Sequence, residues 1–193
     1  MELIDYLTKE EKKQCIEMVL DKNQILFHES DICESIGVVI KGQINIVSYT
    51  LDGQEIIYNQ IKEKSMFGNN LLFSSNPRYR GNVISVTKTR ILLIKKDVLL
   101  TILKNNEMFL VKYLQLTSDF SKQLNQNIKI LSFDSAEDRL LYLLQENNHF
   151  KMKSVSDLAR QLFMTRETLS RLLTRLEKEG KINRTGNIIE LHM

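Results

Sequence analysis

The stretch 154–191 constrains what this chain can fold into more tightly than any other. Ser154 is a residue type that caps helix N-termini, and Asp157 stands three residues on, in the reciprocal capping-box position. Leu158, Ala159 and Leu162 give the helix that follows one apolar face. After a short break Thr165 caps a second helix, in which Leu169, Leu172, Leu173 and Leu176 form an inward stripe at helical spacing. Gly180 sits where a helix stops, and Ile182 to Leu191 alternates like two short strands around Thr185-Gly186-Asn187, a hairpin signal. Two short helices joined by a tight turn and followed by a small hairpin make the pattern of a winged helix-turn-helix.

The second helix keeps a separate set of residues off its leucine stripe. Arg166, Glu167, Ser170 and Arg171 occupy its first turn and a half on the outward side. Recognition helices direct this end at base edges in the major groove, where an arginine fork matches guanine and a carboxylate accepts from the cytosine amino group. Thr165, Thr168, Arg175 and Lys178, with Ser154 on the helix before, are candidate phosphate contacts, which set position rather than sequence. The plainer alternative is a solvated helix face with ordinary ion pairs, such as Arg171 with Glu167; the ordered pattern as a whole favours double-stranded DNA. Charge points the same way. Residues 153–193 hold eight Lys/Arg against five Asp/Glu, while the other 152 residues hold nineteen of each, so the whole net charge of +3 falls on the proposed reader.

A length of 193 residues suits one large or two small domains. Residues 7–17 read as a short helix, with Thr8 as cap and Glu11 closing a capping box. From about Met18 to Leu93 short alternating runs separated by turn signals, including Gly42 and Asp52-Gly53, predict an antiparallel roll or barrel. RILLIKKDVLLTIL closes it with a strand and a short helix. Residues 107–131 then form one long amphipathic helix, in which Leu110, Leu114, Phe120, Leu124, Ile128 and Leu131 recur at threes, fours and sixes. Its plainer reading is a helix packed on its own roll; a dimer seam is the other. Phe133-Asp134 reads as a hinge, Asp134 and Ser135 cap a helix over AEDRLLYLLQENN, and Asn147-Asn148-His149 ends it. The expected fold class is therefore α+β: a sensor-like β-roll at 1–106, a linking helix at 107–132 and a winged helix-turn-helix at 133–193.

T-R-E-T-L-S-R-L-L-T-R-L-E resembles the recognition helix of the CRP/FNR family of bacterial transcription regulators. There R-E-T-x-x-R or E-x-x-S-R reads an operator half-site, and both versions are superimposed here at Arg166 to Arg171. The resemblance implies that Arg166, Glu167 and Arg171 read bases and that Ser170 tunes the thymine-side contact. V-I-K-G-Q-I is likewise similar to a turn of the family's cyclic-nucleotide-binding roll, a jelly-roll-type double-stranded β-helix. The family uses its long helix as a dimer axis. That implies a homodimer through residues 107–132, reading a palindromic site with recognition helices about 34 Å apart. RNA polymerase is a further candidate partner. One departure is Phe163, which stands where the family's turn has glycine; a phenylalanine is costly in a left-handed backbone, so a differently shaped turn is expected.

The resemblance weakens at the effector pocket. Cyclic-AMP-binding members carry F-G-E-L and then P-R-x-A-S/T-V, the glutamate holding the ribose and the arginine the cyclic phosphate. Here the cassette runs Phe67-Gly68-Asn69-Asn70-Leu71-Leu72 and then Pro77-Arg78-Tyr79-Arg80-Gly81-Asn82-Val83. Glutamate has become Asn69, the second segment is one residue longer, and Asn82 replaces the hydroxyl. The position at which the family offers threonine to adenine is Leu124, followed by Asn125. The candidate pocket set is Gly68, Asn69, Arg78, Tyr79, Arg80, Leu124 and Asn125, and the lost contacts argue against cyclic AMP.

Other chemistries are excluded more simply. Two cysteines, Cys15 and Cys33, are too few for an iron–sulfur ligand set. His28, His149 and His192 are scattered over three predicted elements, so neither a haem ligand nor a cupin-type metal cluster is expected. No nucleophile–base set or glycine-rich phosphate loop appears, and the chain is read as a non-enzyme without an evident cofactor, its effector unknown. No apolar run reaches membrane-spanning length and MELIDYLTKEEKK is no signal peptide, which predicts a cytoplasmic protein without membrane partners. Two alternatives stand beside the DNA-binding regulator: a ligand-binding protein whose winged helix makes protein contacts, and a redox-switched version acting through Cys15 and Cys33.

Overall fold

The computed structural model describes residues 2–147 and 149–192, with Tyr58 described in its backbone alone. The chain divides into two compact units, Met1–Ser118 and Asp119–Met193.

The first unit begins with a 3₁₀ turn, Leu3–Tyr6, and a short helix α1, Lys9–Gln14. Thr8 caps α1 as the sequence predicts: its hydroxyl accepts from the Glu11 N–H at 3.2 Å and the Glu11 carboxylate accepts from the Thr8 N–H at 2.7 Å. The helix is shorter than the 7–17 expectation, because Cys15 is already extended and the strand begins at Ile16. Eight strands follow: β1 (Ile16–Leu20), β2 (Ile25–Phe27), β3 (Ser35–Lys41), β4 (Gln43–Tyr49), β5 (Glu55–Lys62), β6 (Met66–Phe67), β7 (Asn82–Ser85) and β8 (Thr89–Lys95). They form two antiparallel four-stranded sheets, ordered β1-β8-β3-β6 and β2-β7-β4-β5. Asp52-Gly53 turns the β4–β5 hairpin, as read from the sequence, with Gly53 at φ 78°. Gly42 makes a different corner, where the chain leaves one sheet for the other. Its φ is 97°, and a Cβ there would stand 2.9 Å from the Lys88 carbonyl, so glycine is required twice over. Ile36, Val39, Ile44, Val83, Ile91 and Ile94 fill the core at full burial.

Helix α2 (Lys96–Asn105) closes the roll and α3 (Glu107–Leu131) follows after one residue. Asn106 sets that break: its side-chain oxygen accepts from the Phe109 N–H at 3.0 Å while its amide donates to the Tyr6 carbonyl at 2.9 Å. Helix α3 spans the predicted 107–131 and contributes to both units. Phe109 and Tyr113 are buried in the core of the first and Ile130 in that of the second. Met108, Val111 and Leu114 in the first unit, and Leu124, Ile128 and Leu131 in the second, stay between 50% and 65% exposed, so these apolar side chains are not spent within the chain.

The second unit continues with α4 (Ala136–Glu146), capped by Ser135, whose hydroxyl accepts from the Asp138 N–H at 3.0 Å. Asn147 is its C-cap; Asn148 lies outside the described residues, and His149 opens a strand. Then come β9 (His149–Lys151), α5 (Val155–Gln161), α6 (Arg166–Lys178), β10 (Ile182–Thr185) and β11 (Ile188–Leu191). The wing is three-stranded, ordered β10-β11-β9, and its first strand was not predicted. Leu140, Leu144, Leu158, Leu162, Leu169 and Leu173 build a core at 0–1% exposure. Among the described residues no helix is long and apolar enough to cross a membrane.

Candidate nucleic-acid interface

Helix α6 is held at both ends by local chemistry. The Thr165 hydroxyl accepts from the Thr168 N–H at 3.1 Å, and the two hydroxyls lie 3.0 Å apart. At the other end Gly180, at φ 71°, donates to the Glu177 carbonyl at 3.1 Å and Lys181 donates to the Leu176 carbonyl at 2.9 Å, a Schellman stop. Between these ends Leu169, Leu172, Leu173 and Leu176 are buried, leaving Arg166, Glu167, Ser170 and Arg171 exposed on the other side.

The turn before α6 corrects the expectation that Phe163 would reshape it. Phe163 takes the left-handed conformation itself, at φ 52°. Helix α5 ends in a Schellman pair, with Phe163 donating to the Arg160 carbonyl at 3.2 Å and Met164 to the Ala159 carbonyl at 3.0 Å. The Arg139 guanidinium also donates to the Phe163 carbonyl at 3.3 Å. These bonds together outweigh the steric cost of a Cβ at positive φ.

Among the described residues no carboxylate lies within ion-pair distance of Arg166, Arg171 or Lys178. The two arginines are open to an outside acceptor, against the plainer reading of Arg171 paired with Glu167. Glu167 is held below the ordinary carboxylate range, first by its own backbone N–H and the Thr165 hydroxyl, then by the charges of Arg166 and Arg171. It therefore presents an ionised acceptor at neutral pH.

The phosphate candidates divide. Ser154 caps α5, accepting from the Asp157 N–H at 3.1 Å, and is exposed; Asp157 turns to Arg160 at 3.3 Å, so the reciprocal half of the predicted box is spent on an ion pair. Thr165, Thr168 and Lys178 are exposed beside Arg166, Glu167, Ser170 and Arg171. Arg175 differs, since its guanidinium lies 2.5 Å from Glu137 at the start of α4, and Lys181 reaches the other oxygen of the same carboxylate at 3.0 Å. Sequence reading missed Glu137 as a partner of α6, the two being 38 residues apart. Ser135, Ala136, Glu137, Thr168, Arg171 and Arg175 line an open groove of about 450 Å³ between α4 and α6.

Comparison with known proteins agrees with this geometry. The model of the cyclic nucleotide-binding domain matches residues 17–106, and that of the Crp-like helix-turn-helix domain matches 138–193. The chain belongs to the CRP/FNR family. It is 28% identical over 183 residues to the HTH-type transcriptional regulator ArcR of Staphylococcus epidermidis, covering 87% of this chain and 78% of that protein. It is 23% identical over 184 residues to the anaerobic regulatory protein of Bacillus subtilis, covering 88% and 77%. In fold it is similar to a CooA mutant from Carboxydothermus hydrogenoformans, with a TM-score of 0.67 at 20% identity over 99% of this chain and 91% of that one. The catabolite activator protein of Thermus thermophilus gives 0.57 at 20% identity over 98% and 93%. This CRP/FNR protein is thus a DNA-binding transcription regulator.

The candidate effector residues are arranged differently from those of α6. Gly68, at φ 79°, is packed so that a Cβ would lie 2.9 Å from the Ser35 carbonyl. Around Tyr79 the chain alternates: Arg78 and Arg80 are exposed, while Tyr79 is 2% exposed and stacks on Phe27 with ring centres 4.8 Å apart. Arg78 is committed to the Ser30 carbonyl at 2.7 Å. The Asn69 amide nitrogen is buried without a hydrogen-bond partner, and the buried Tyr79 hydroxyl has the Cys33 thiol as its neighbour. Burial is the main cause that pushes the Tyr79 phenol well above its usual range. Leu124 and Asn125 are exposed on the part of α3 that belongs to the second unit. Both thiols are also pushed up, chiefly by burial, Cys15 further by Glu11, and Cys33 donates to the Ser35 carbonyl at 3.3 Å. Cys33 is buried and Cys15 half-buried, and thiols kept protonated by burial react slowly.

Proposed function

We propose that this CRP/FNR regulator works in the cytoplasm as a homodimer on a palindromic operator, reading each half-site with α6 and answering an effector other than cyclic AMP. It acts by binding rather than by catalysis. The observation that carries the reading is the exposed, unpaired pair Arg166 and Arg171 flanking an ionised Glu167, over a fully buried leucine stripe. Two bidentate donors and one acceptor within a turn and a half match the donor and acceptor pattern of a G·C-containing major groove. Ser170 completes the base-facing set, and Ser154, Thr165, Thr168 and Lys178 hold phosphates on either side.

The exposed apolar residues of α3 support the dimer, since Leu124, Ile128 and Leu131 share one face at helical spacing and six large apolar side chains on one helix are costly to leave in solvent. Residues 107–132 then serve as the dimer helix, between a sensor roll at 1–106 and a reader at 133–193. In the roll, Tyr79 turned into the core and Arg78 bound to a backbone carbonyl leave the cassette poorly equipped for a cyclic phosphate.

Selection of duplexes from a randomised library by the purified, nucleotide-free protein tests this directly. The expected result is a palindrome with half-site centres about one helical turn apart. Enrichment of no motif, with or without small-molecule cell extract, contradicts it.

A further inference from the structure

Glu137 stands in an unusual place for a carboxylate in a surface that meets DNA. It is the second residue of α4, its side chain is 25% exposed, and it takes Arg175 at 2.5 Å and Lys181 at 3.0 Å. Lys181 is shared with Glu179, also at 3.0 Å, and Arg175 lies 3.9 Å from Glu179. Arg175 and Lys181 are about half exposed, so neither is walled off from a solvent-borne anion. The same carboxylate lines the groove shared with Arg171 and Thr168. A nucleic-acid phosphate entering that groove meets an anion already seated on the Arg175 fork. Direct ion pairing explains why the Lys181 ammonium is raised above its ordinary value, the Glu137 hydrogen bond being the largest cause.

Resting on the DNA-reading function proposed above, we infer that Glu137 is a specificity-determining residue: an internal phosphate substitute that keeps Arg175 and Lys181 out of sequence-independent attraction to DNA. Glu137 makes no ion pair with Arg166 or Arg171, among the described residues. Non-specific affinity grows with every phosphate neutralised, so two cations spent internally lower binding to random duplex more than they lower binding to the operator. The discrimination ratio rises as a result, and that ratio decides occupancy against a genome of competing sites.

Glu137→Gln keeps the side chain's shape at the helix start and removes its charge. Binding of wild type and variant is measured by fluorescence anisotropy on a random duplex and on the selected operator, across a salt series. For random duplex the log–log salt slope is expected to steepen by about one, since Glu179 still holds Lys181, and affinity near 0.1 M salt to rise roughly tenfold. Operator affinity rises less. In an Arg175→Gln, Lys181→Gln background the same Glu137→Gln change leaves the slope where it was, which separates freed cations from a general loss of negative charge. An unchanged slope in the single variant overturns the inference. So does weaker binding to both duplexes, which would make Glu137 a brace for α6. Failure of the wild type to prefer any site would instead count against the DNA-reading function itself.

Discussion

Phe163 offers a test of how the helix-turn-helix is held, because two substitutions there share every loss but one. Phe163 is 43% exposed, so either Gly or Ala gives up about half of an aromatic side chain's burial, on the order of 2–3 kcal/mol. The Arg139 bond goes to the backbone carbonyl and survives both changes. What differs is the backbone. At φ 52° alanine keeps a left-handed strain of about 1–2 kcal/mol, while glycine escapes it but brings about 0.5–1 kcal/mol of extra unfolded-state entropy. The strain wins, and Phe163→Gly is expected to be more stable than Phe163→Ala by about 0.5–1 kcal/mol, the reverse of the order inside a regular helix. Native-state hydrogen exchange at the Leu169, Leu172 and Leu173 amides of α6 reads this as roughly two- to fivefold slower exchange in the glycine variant. Equal or slower exchange in the alanine variant would refute the reasoning, and with it the claim that the Schellman bonds hold Phe163 against strain.

Three further outcomes are expected. Thr165→Ala removes the acceptor for the Thr168 N–H and should cost the reader about 1 kcal/mol in denaturant unfolding, with weaker operator binding; no loss in either would remove Thr165 as the cap. Glu167 and Glu177 both lie below the ordinary carboxylate value of 4.5, Glu167 chiefly through hydrogen bonds and Glu177 through Arg184. A lowered folded-state pKa gives stability that is present above the unfolded value and lost as pH falls through the folded one. Melting of the reader should therefore drop on acidification below about 4.5, and less steeply in Glu177→Gln; parallel curves would contradict the assignment. Cys33, with its thiol pushed up by burial, should react with iodoacetamide at neutral pH far more slowly than a free cysteine, and labelling at the free rate would reopen redox sensing.

Much of the helical framework was legible because its signals are local. Caps at Thr8, Ser135, Ser154 and Thr165, the Gly180 stop and the Gly186-Asn187 turn each depend on neighbours within a few residues, and each takes the predicted place. What was not legible depends on distance along the chain. Strand β9 is three residues long, too short to show a period, and exists through pairing with β11 some forty residues on. Glu137 meets Arg175 for the same reason, through packing of α4 against α6 that no spacing rule announces. At Phe163 a local rule was applied correctly and still lost, because two backbone hydrogen bonds and one from the Arg139 guanidinium converge on the turn. In the roll, Arg78, Tyr79 and Arg80 were all readable as pocket candidates, but that Tyr79 is buried and both arginines exposed was not.

The central claim is that the exposed face of α6 reads sequence, and Arg171→Ala tests it most directly. Affinity for the selected operator and for a random duplex of equal length is measured at one fixed salt concentration. The account predicts a loss of about 1–3 kcal/mol on the operator with relaxed preference at one base pair, and a much smaller loss on random duplex. An equal loss on both would make Arg171 a phosphate contact, and no loss on either would take α6 out of the reading role.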